Sequence, residues 1–278
     1  MKIIYDNVSA NCSKITTKAY STSFSLGIRF LSPKFHGPIY GIYGFVRLAD
    51  EIVDSFHDFD KVSLMAKFRN DTQEAVSQGI SLNPILNSFQ HAVNKYNIEW
   101  ELIDTFLCSM EMDLGQKFHN EETFNQYILG SAEVVGLMCL RVFVEGDDVL
   151  FQKLKPFAMS LGSAFQKVNF LRDLKADYHV LGRTYFPGVD FKRFSTADKE
   201  RIQNDIEIEF SKALEGIRML PRSSGRGVYL AYYYYTKLFK RIKATPAEKV
   251  MSVRIRIPDL NKISLMFKSI IRLQLNML

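Results

Sequence analysis

Apolar residues recur three and four positions apart along most of the chain, most clearly over 85–96 and 102–110. This spacing places them on one face of an α-helix, and the alternation typical of a strand is almost absent. Eight prolines are spread thinly and leave room for multi-turn helices, with Pro38 and Pro156 near plausible first turns. The pattern predicts one all-α domain over residues 1–278, with about eight to ten helices.

The composition is that of a folded globular protein, because 47% of the 278 residues are apolar and 24% are charged. The 22 Phe and 13 Tyr residues require a large interior, an apolar cavity or a membrane-facing surface. Three cysteines without a CxxC spacing argue against a disulfide framework and a cysteine-rich metal site. They are typical of a reducing compartment.

The net charge of +6 is mild, and acidic residues are interleaved with the basic ones. We therefore expect no nucleic-acid partner, whereas an anionic ligand or an anionic membrane face would suit this charge. No stretch approaches the roughly 20 apolar residues of a membrane span, and the start does not resemble a signal peptide. We expect a cytoplasmic protein, peripheral at the inner face of the membrane. Over 259–278, a helix docked on the core is favoured over a membrane-surface helix.

A first acidic stripe is predicted within the segment 40–54. If this segment is a helix, Tyr43, Arg47, Asp50 and Asp54 share one face, because they follow steps of four, three and four. Two carboxylates four residues apart destabilise a helix slightly unless a cation lies between them. A divalent metal ion bound between the two carboxylates would offset this repulsion.

A second stripe is predicted within the segment 161–177. Gly162, Gln166, Asn169, Asp173 and Asp177 fall on one helical face, with apolar residues on the opposite side. Taken alone, either stripe would more often be a solvated helix surface than a binding site.

The two stripes together favour a binding site. Each carries DxxxD in an apolar helix with an arginine beside the acids, Arg47 in one and Arg172 in the other. Oxygen ligands without His or Cys select a hard cation such as Mg²⁺, whose shell is commonly completed by phosphate oxygens of a substrate. The pair therefore predicts a diphosphate substrate bridged to the protein through Mg²⁺.

Other chemistries find little support in the sequence. The five histidines lack metal-ligand spacing, and no serine lies in a GxSxG elbow. The segment 225–227 is neither a dinucleotide fingerprint nor a phosphate-binding loop.

With these motifs in place, the sequence resembles the squalene/phytoene synthase family, which joins two prenyl diphosphates head to head. The second stripe matches the family's QxxNxxRDxxxD pattern without a gap. Glu51 stands where many members have Asp, but it lies about 100° from the first stripe on an ideal helix, so we expect it to bind no metal. In chain order the matching blocks are 20–24, 47–54, 110–114, 127–136, 166–177 and 182–187.

The resemblance implies a class I isoprenoid synthase fold, a helical bundle with a central cavity, and assigns roles by position. Mg²⁺, or Mn²⁺ as a substitute, would be held by Asp50, Asp54, Asn169, Asp173 and Asp177. Catalysis would fall to these four aspartates together with Arg47, Arg172 and Tyr127, the two arginines contacting diphosphate. The substrates would be bound by Ser21, Phe24, Arg47, Gln166, Asn169, Arg172, Tyr234 and Arg254.

The overall family likeness favours a phytoene synthase activity, in which two geranylgeranyl diphosphates condense 1′–1 through prephytoene diphosphate to phytoene. No NADPH is then expected. A squalene or dehydrosqualene synthase acting on two farnesyl diphosphates is the alternative, and a non-catalytic helical assembly protein or another class I prenyl enzyme is more remote. Beyond the prenyl diphosphates, the expected partners are the membrane and downstream carotenoid enzymes.

Overall fold

The computed structural model describes residues 2–115, 119–176 and 183–255. Within these ranges the regular elements are helices, which confirms the all-α prediction. The α-helices are α1 (Lys2–Tyr20), α2 (Thr22–Arg29), α3 (Pro33–Asp54), α4 (Lys61–Gln78), α5 (Pro84–Tyr96), α6 (Trp100–Gly115), α7 (Glu121–Ile128), α8 (Val134–Val144), α9 (Asp148–Ala176), α10 (Thr196–Met219), α11 (Arg222–Lys243) and α12 (Ala247–Val250). A π-helical turn (Leu129–Glu133) joins α7 to α8, and a 3₁₀ turn (Phe191–Arg193) precedes α10.

The helices are more numerous and begin earlier than the apolar periodicity predicts. Twelve α-helices are found over the described ranges, because short ones such as the four-residue α12 carry too little periodicity to detect. Pro38 and Pro156 lie inside α3 and α9 rather than in their first turns. A proline within a helix removes one hydrogen bond, a cost that packing of the whole helix can outweigh. The prediction of a single domain over 1–278 stays a prediction.

Local sequence signals set several helix ends. Ser195 and Asp198 form a reciprocal capping box at the start of α10, and Asn83 caps α5 immediately before Pro84. Gly79 and Asn97 end α4 and α5 in the left-handed conformation that lets the last carbonyls find partners.

Two large apolar clusters flank the centre of the molecule. The first contains Phe45 of α3, which stacks on Phe89 of α5 at 3.9 Å between ring centroids. The second gathers side chains of α9, α10 and α11, among them Phe210 and Phe239. The two acidic stripes lie on α3 and α9, one from each cluster, and therefore meet where the clusters adjoin.

The π-helical turn is held by close backbone contacts on two sides. A Cβ at Gly130 would come within 2.6 Å of the Thr105 carbonyl oxygen of α6. A Cβ at Gly162 of α9 would come equally close to the Ala132 carbonyl oxygen. These two glycines let α6 and α9 pack against the turn and so direct its residues toward the centre.

One helical stretch among the described residues, Glu121–Val144, is long and apolar enough by composition to cross a membrane. Of its most apolar window, 56% is buried inside the protein, as in a core helix.

Candidate active site

A cavity of about 660 Å³ opens between the two apolar clusters. It is lined by parts of α2, α3, the π-helical turn, α8, α9 and α11. Every predicted site residue that the structure describes contributes to its lining: Ser21, Phe24, Arg47, Asp50, Asp54, Tyr127, Gln166, Asn169, Arg172, Asp173, Tyr234 and Arg254. Asp177 lies outside the described residues.

On the first stripe, Arg47 is the organising cation. Its guanidinium pairs with Asp50 three residues later and with Glu51 four residues later. It also lies 4.1 Å from the centre of the Tyr20 ring, a cation–π contact. Its Nε is buried without a hydrogen-bond partner. This guanidinium thus keeps one N–H donor that has no partner among the described residues.

Arg183 connects the end of the first stripe to two other segments. Its Nη1 donates to Asp54 Oδ1 at 2.7 Å, and its Nη2 donates to the Asp113 backbone carbonyl at 3.0 Å. The Asp113 side chain of α6 lies 3.7 Å from the same guanidinium and accepts a 2.7 Å hydrogen bond from the Tyr127 hydroxyl. The side chains of Arg183 and Asp113 are 9% and 4% exposed and lie inside the protein, whereas the Asp54 side chain is 33% exposed.

Burial and crowding shift the acids of this region toward the neutral form. Burial raises the pKa of Asp50 to about 6, and the nearby Asp54 carboxylate adds to the effect. Burial also raises the pKa of Asp113 to about 7, despite the lowering by Arg183 and by the Tyr127 hydrogen bond. Both directions are expected where carboxylates meet in a low-dielectric site with too few cations.

On the second stripe, Asp173 is held between two arginines. The Nε of Arg172 donates to it at 3.0 Å, and the Nε of Arg254, beyond α12, lies 2.6 Å from its other oxygen. Burial would lower the pKa of Arg172, but the Asp173 carboxylate outweighs burial and the pKa is raised. Arg172 is therefore charged at any physiological pH.

One turn earlier on α9, Asn169 accepts a 3.1 Å hydrogen bond from the Tyr235 hydroxyl of α11. Tyr235 is half-buried and stacks on Phe165 at 3.9 Å between ring centroids. Tyr234 also lines the cavity, in edge contact with Tyr235. Tyr235, which had no assigned role, is thus the tyrosine that bonds a predicted metal-binding residue.

Aromatic rings surround the space between the stripes. Tyr127, Phe170 and Tyr185 pack together, with the Phe170 and Tyr185 rings stacked at 3.9 Å. Most of the remaining lining is apolar, with Phe143 and Phe157 among its residues. The cavity therefore combines a charged end with a long apolar interior.

Arg183, Asp113 and Tyr185 received no role from the sequence, although they lie in blocks 110–114 and 182–187 that carry the family resemblance. The sequence signal that could have found them is their position as polar residues within blocks that match the family. Glu51 contacts Arg47 and is not among the residues that line the cavity.

The donors at the charged end suit a hard cation. The described residues contain no cluster of three or more His, Cys, Asp or Glu side chains arranged as a metal site. The available ligands are instead carboxylate and amide oxygens of Asp50, Asp54, Asn169 and Asp173, which line one cavity. Burial, with the Asp54 carboxylate adding to it, raises the pKa of Asp50, and a divalent ion bound there would favour the charged form.

The sequence is similar to that of known proteins. The pattern that describes the squalene/phytoene synthase family matches residues 17–261. A presqualene diphosphate synthase of Sinorhizobium fredii is 30% identical over 194 residues, which cover 67% of this chain and 66% of that protein. A phytoene synthase of Rhodobacter capsulatus is 27% identical over 238 residues, 78% of this chain and 68% of that one. The chain thus spans about two thirds of the length of these relatives.

Among solved structures, a dehydrosqualene synthase in complex with a ligand superposes with a TM-score of 0.83. The superposition covers 97% of this chain and 98% of that one, at 18% sequence identity. This likeness shows that the two proteins share a fold.

Proposed function

The chain belongs to the squalene/phytoene synthase family, and from this premise we propose that it condenses two prenyl diphosphates head to head. Members of the family are prenyltransferases and in general depend on divalent metal ions. The observation that carries the proposal is the position of both acidic stripes, with their arginines, at one end of an otherwise apolar cavity.

In this proposal Asp50, Asp54, Asn169 and Asp173 hold Mg²⁺, with Asp177 completing the second motif. When bound, the ion neutralises the leaving diphosphate and so favours its departure. The unpartnered Nε of Arg47 and the fork of Arg172 bind diphosphate oxygens, for which guanidinium geometry is suited. Arg183 fixes the direction of the Asp54 carboxylate through their 2.7 Å hydrogen bond.

The aromatic lining serves the carbocation that remains after diphosphate leaves. Rings such as Tyr127 and Phe170 offer a face that stabilises a cation by roughly 0.5–2 kcal/mol without providing a strong nucleophile. They also exclude the water that would quench it. The double bond of the second prenyl chain then adds to the cation, and loss of a proton closes the ring to a cyclopropyl diphosphate. Departure of that diphosphate, rearrangement of the resulting cation and loss of a second proton give the 1′–1 linked hydrocarbon.

For the substrate we propose geranylgeranyl diphosphate, with phytoene as the product. Supporting this, the similarity to a phytoene synthase extends over 78% of the chain. The use of two farnesyl diphosphates is the second candidate, and the 30% identity to a presqualene diphosphate synthase favours it. A non-catalytic role on the same fold is disfavoured, because the described residues of both motifs line the cavity.

The test is incubation of the purified protein with Mg²⁺ and either prenyl diphosphate, with and without NADPH, followed by mass spectrometry. We expect a C40 hydrocarbon from geranylgeranyl diphosphate without NADPH, and the same product with Mn²⁺. A C30 product alone would transfer the assignment to the farnesyl substrate. If neither substrate is consumed, the enzymatic proposal fails.

A matched set of variants identifies the site in the same assay. Asp50→Ala and Asp173→Ala should abolish turnover and retain helical circular dichroism. Asp58→Ala, at an exposed aspartate just beyond α3, should keep full activity.

A further inference from the structure

Helix α1 buries polar side chains and exposes apolar ones, which is the reverse of an ordinary surface helix. Its buried side consists of small polar residues, Ser9, Ser13 and Thr17, each fully buried. Its outward side carries Ile4, Val8 and Ile15, which are 64%, 50% and 67% exposed. On an ideal helix these three lie within about 40° of one another. A helix that only covered a core would place them the other way round.

Close packing explains why the inner side of α1 is small and polar. A Cβ at Gly44 of α3 would come within 2.9 Å of Ser13 Oγ, so the two helices approach at nearly backbone distance. Asn87 of α5 donates to both Asp6 and Ser9 at 3.1 Å. These contacts fix the rotation of α1, so the outward position of its isoleucines is built into the fold.

The charges on α1 indicate what the outward face meets. The only acid of the helix is Asp6, which is turned inward to Asn87, whereas Lys14 and Lys18 are exposed beside the apolar stripe. They lie about 80° and 40° from Ile4, on the same side of the helix. An apolar stripe bordered by lysines and lacking acids suits an anionic lipid surface.

The loop beside α1 also exposes apolar side chains. The Tyr5 hydroxyl donates to the Ser81 carbonyl at 2.6 Å and holds that loop against α1. The next residue, Leu82, is 94% exposed, and Ile80 is also exposed. Several exposed large apolar side chains in one region are typical of an interaction site.

We propose that the outward face of α1, defined by Ile4, Val8, Ile15, Lys14 and Lys18, docks on an anionic bilayer surface. A second copy of the chain is disfavoured as the occupant, because it would bring two positively charged faces together. The proposal stands on α1 alone and does not depend on the activity proposed above.

Sedimentation with lipid vesicles in the absence of substrate tests this directly. The full chain should bind phosphatidylcholine–phosphatidylglycerol vesicles more tightly than pure phosphatidylcholine ones. The triple variant Ile4→Gln, Val8→Gln, Ile15→Gln should bind at least about 30-fold more weakly, since three large apolar side chains no longer insert. Lys14→Gln and Lys18→Gln should each cost about fivefold on anionic vesicles and nothing on neutral ones.

A matched control carries three glutamines at exposed apolar residues elsewhere, Val62→Gln, Val149→Gln and Ile208→Gln, which are 66%, 82% and 69% exposed. It should bind vesicles like the unchanged protein. Equal binding by both triple variants, or no binding of the unchanged protein, overturns the proposal.

Two further readouts identify the other possible occupants of the face. Light scattering that shows a dimer for the unchanged protein and a monomer for the α1 triple variant would assign the face to a second copy. A melting temperature lowered by several degrees in that variant would mean that the chain itself covers the face. Either result overturns membrane docking.

Discussion

The two acidic stripes look alike in sequence, but their charges are balanced differently. Among the described side chains around α3, four carboxylates (Asp50, Glu51, Asp54 and Asp113) share two guanidiniums, those of Arg47 and Arg183. Among the described side chains around α9, the Asp173 carboxylate pairs with two guanidiniums. Over the described residues, the first stripe therefore has more carboxylates than guanidiniums, and the second has more guanidiniums than carboxylates.

This asymmetry suggests a division of labour under the proposed function. A stripe short of positive charge attracts a divalent cation most strongly, and the arginines beside Asp173 add an attraction for the diphosphate. A substrate diphosphate carrying Mg²⁺ would then satisfy both sides at once. The following changes test this difference, in order of expected effect.

The largest effect should be on turnover. Asp50→Asn and Asp173→Asn should each lower kcat/KM at least about a thousandfold, since each removes stabilisation of the leaving diphosphate worth several kcal/mol. Steady-state kinetics with the productive prenyl diphosphate measures this. Asp58→Asn serves as the exposed control, and near-normal activity of either stripe variant would remove that aspartate from the site.

The next largest effect concerns how much two arginines contribute to the stability of the protein. Arg183→Gln should lower the free energy of unfolding by about 3–5 kcal/mol, because it leaves Asp54 and Asp113 without their buried partner. Arg254→Gln should cost at most about 1 kcal/mol, because the Arg254 side chain is 49% exposed and its ion pair is screened by water. Urea denaturation of both variants gives the comparison; similar costs would contradict the contrast in burial.

Replacing an aspartate by asparagine should change the free energy of unfolding in opposite directions on the two stripes. Without divalent ions at pH 8, Asp50→Asn should raise the free energy of unfolding by about 1–2 kcal/mol, since it removes a half-buried charge whose pKa is raised to about 6 and which water partly screens. Asp173→Asn should lower it, because two ion pairs are lost.

The pH dependence gives the control for this prediction. The unfolded carboxyl titrates near 3.8 and the folded one near 6, so the penalty is complete above the folded pKa and absent below the unfolded one. The gain from Asp50→Asn should therefore disappear as the pH falls from 7 to about 4. A gain that does not change with pH would show that its origin is not the Asp50 charge.

The smallest contrast concerns two tyrosine hydroxyls. Tyr127→Phe should cost about 1.5–3 kcal/mol, because the hydroxyl donates to the buried Asp113 carboxylate. Tyr235→Phe removes a hydrogen bond to the neutral Asn169 amide and should cost about 0.5–1.5 kcal/mol. Thermal or urea unfolding near pH 8 tests both, and a larger cost at Tyr235 would reverse the comparison.

Much of the site follows from short-range spacing. Arg47, Asp50 and Asp54 share a face because a helix repeats every 3.6 residues, and the same rule aligns Gln166, Asn169 and Asp173. These registers depend only on neighbours along the chain, so the sequence predicts them. The rotation of α11 does not follow from such a rule. Consecutive tyrosines point about 100° apart, and packing decided that Tyr235 meets Asn169.

What the sequence by itself determined is therefore the helical class, the two stripes and the chemistry that their oxygen and guanidinium groups favour. The tertiary structure alone decided which groups share charge. Arg183 reaches Asp54 across 129 residues and Asp113 across 70. It also decided that α1 turns its isoleucines outward, because Gly44 and Ser13 approach so closely. Spacing along a helix is a local property, whereas burial and pairing between distant segments depend on how the whole chain packs.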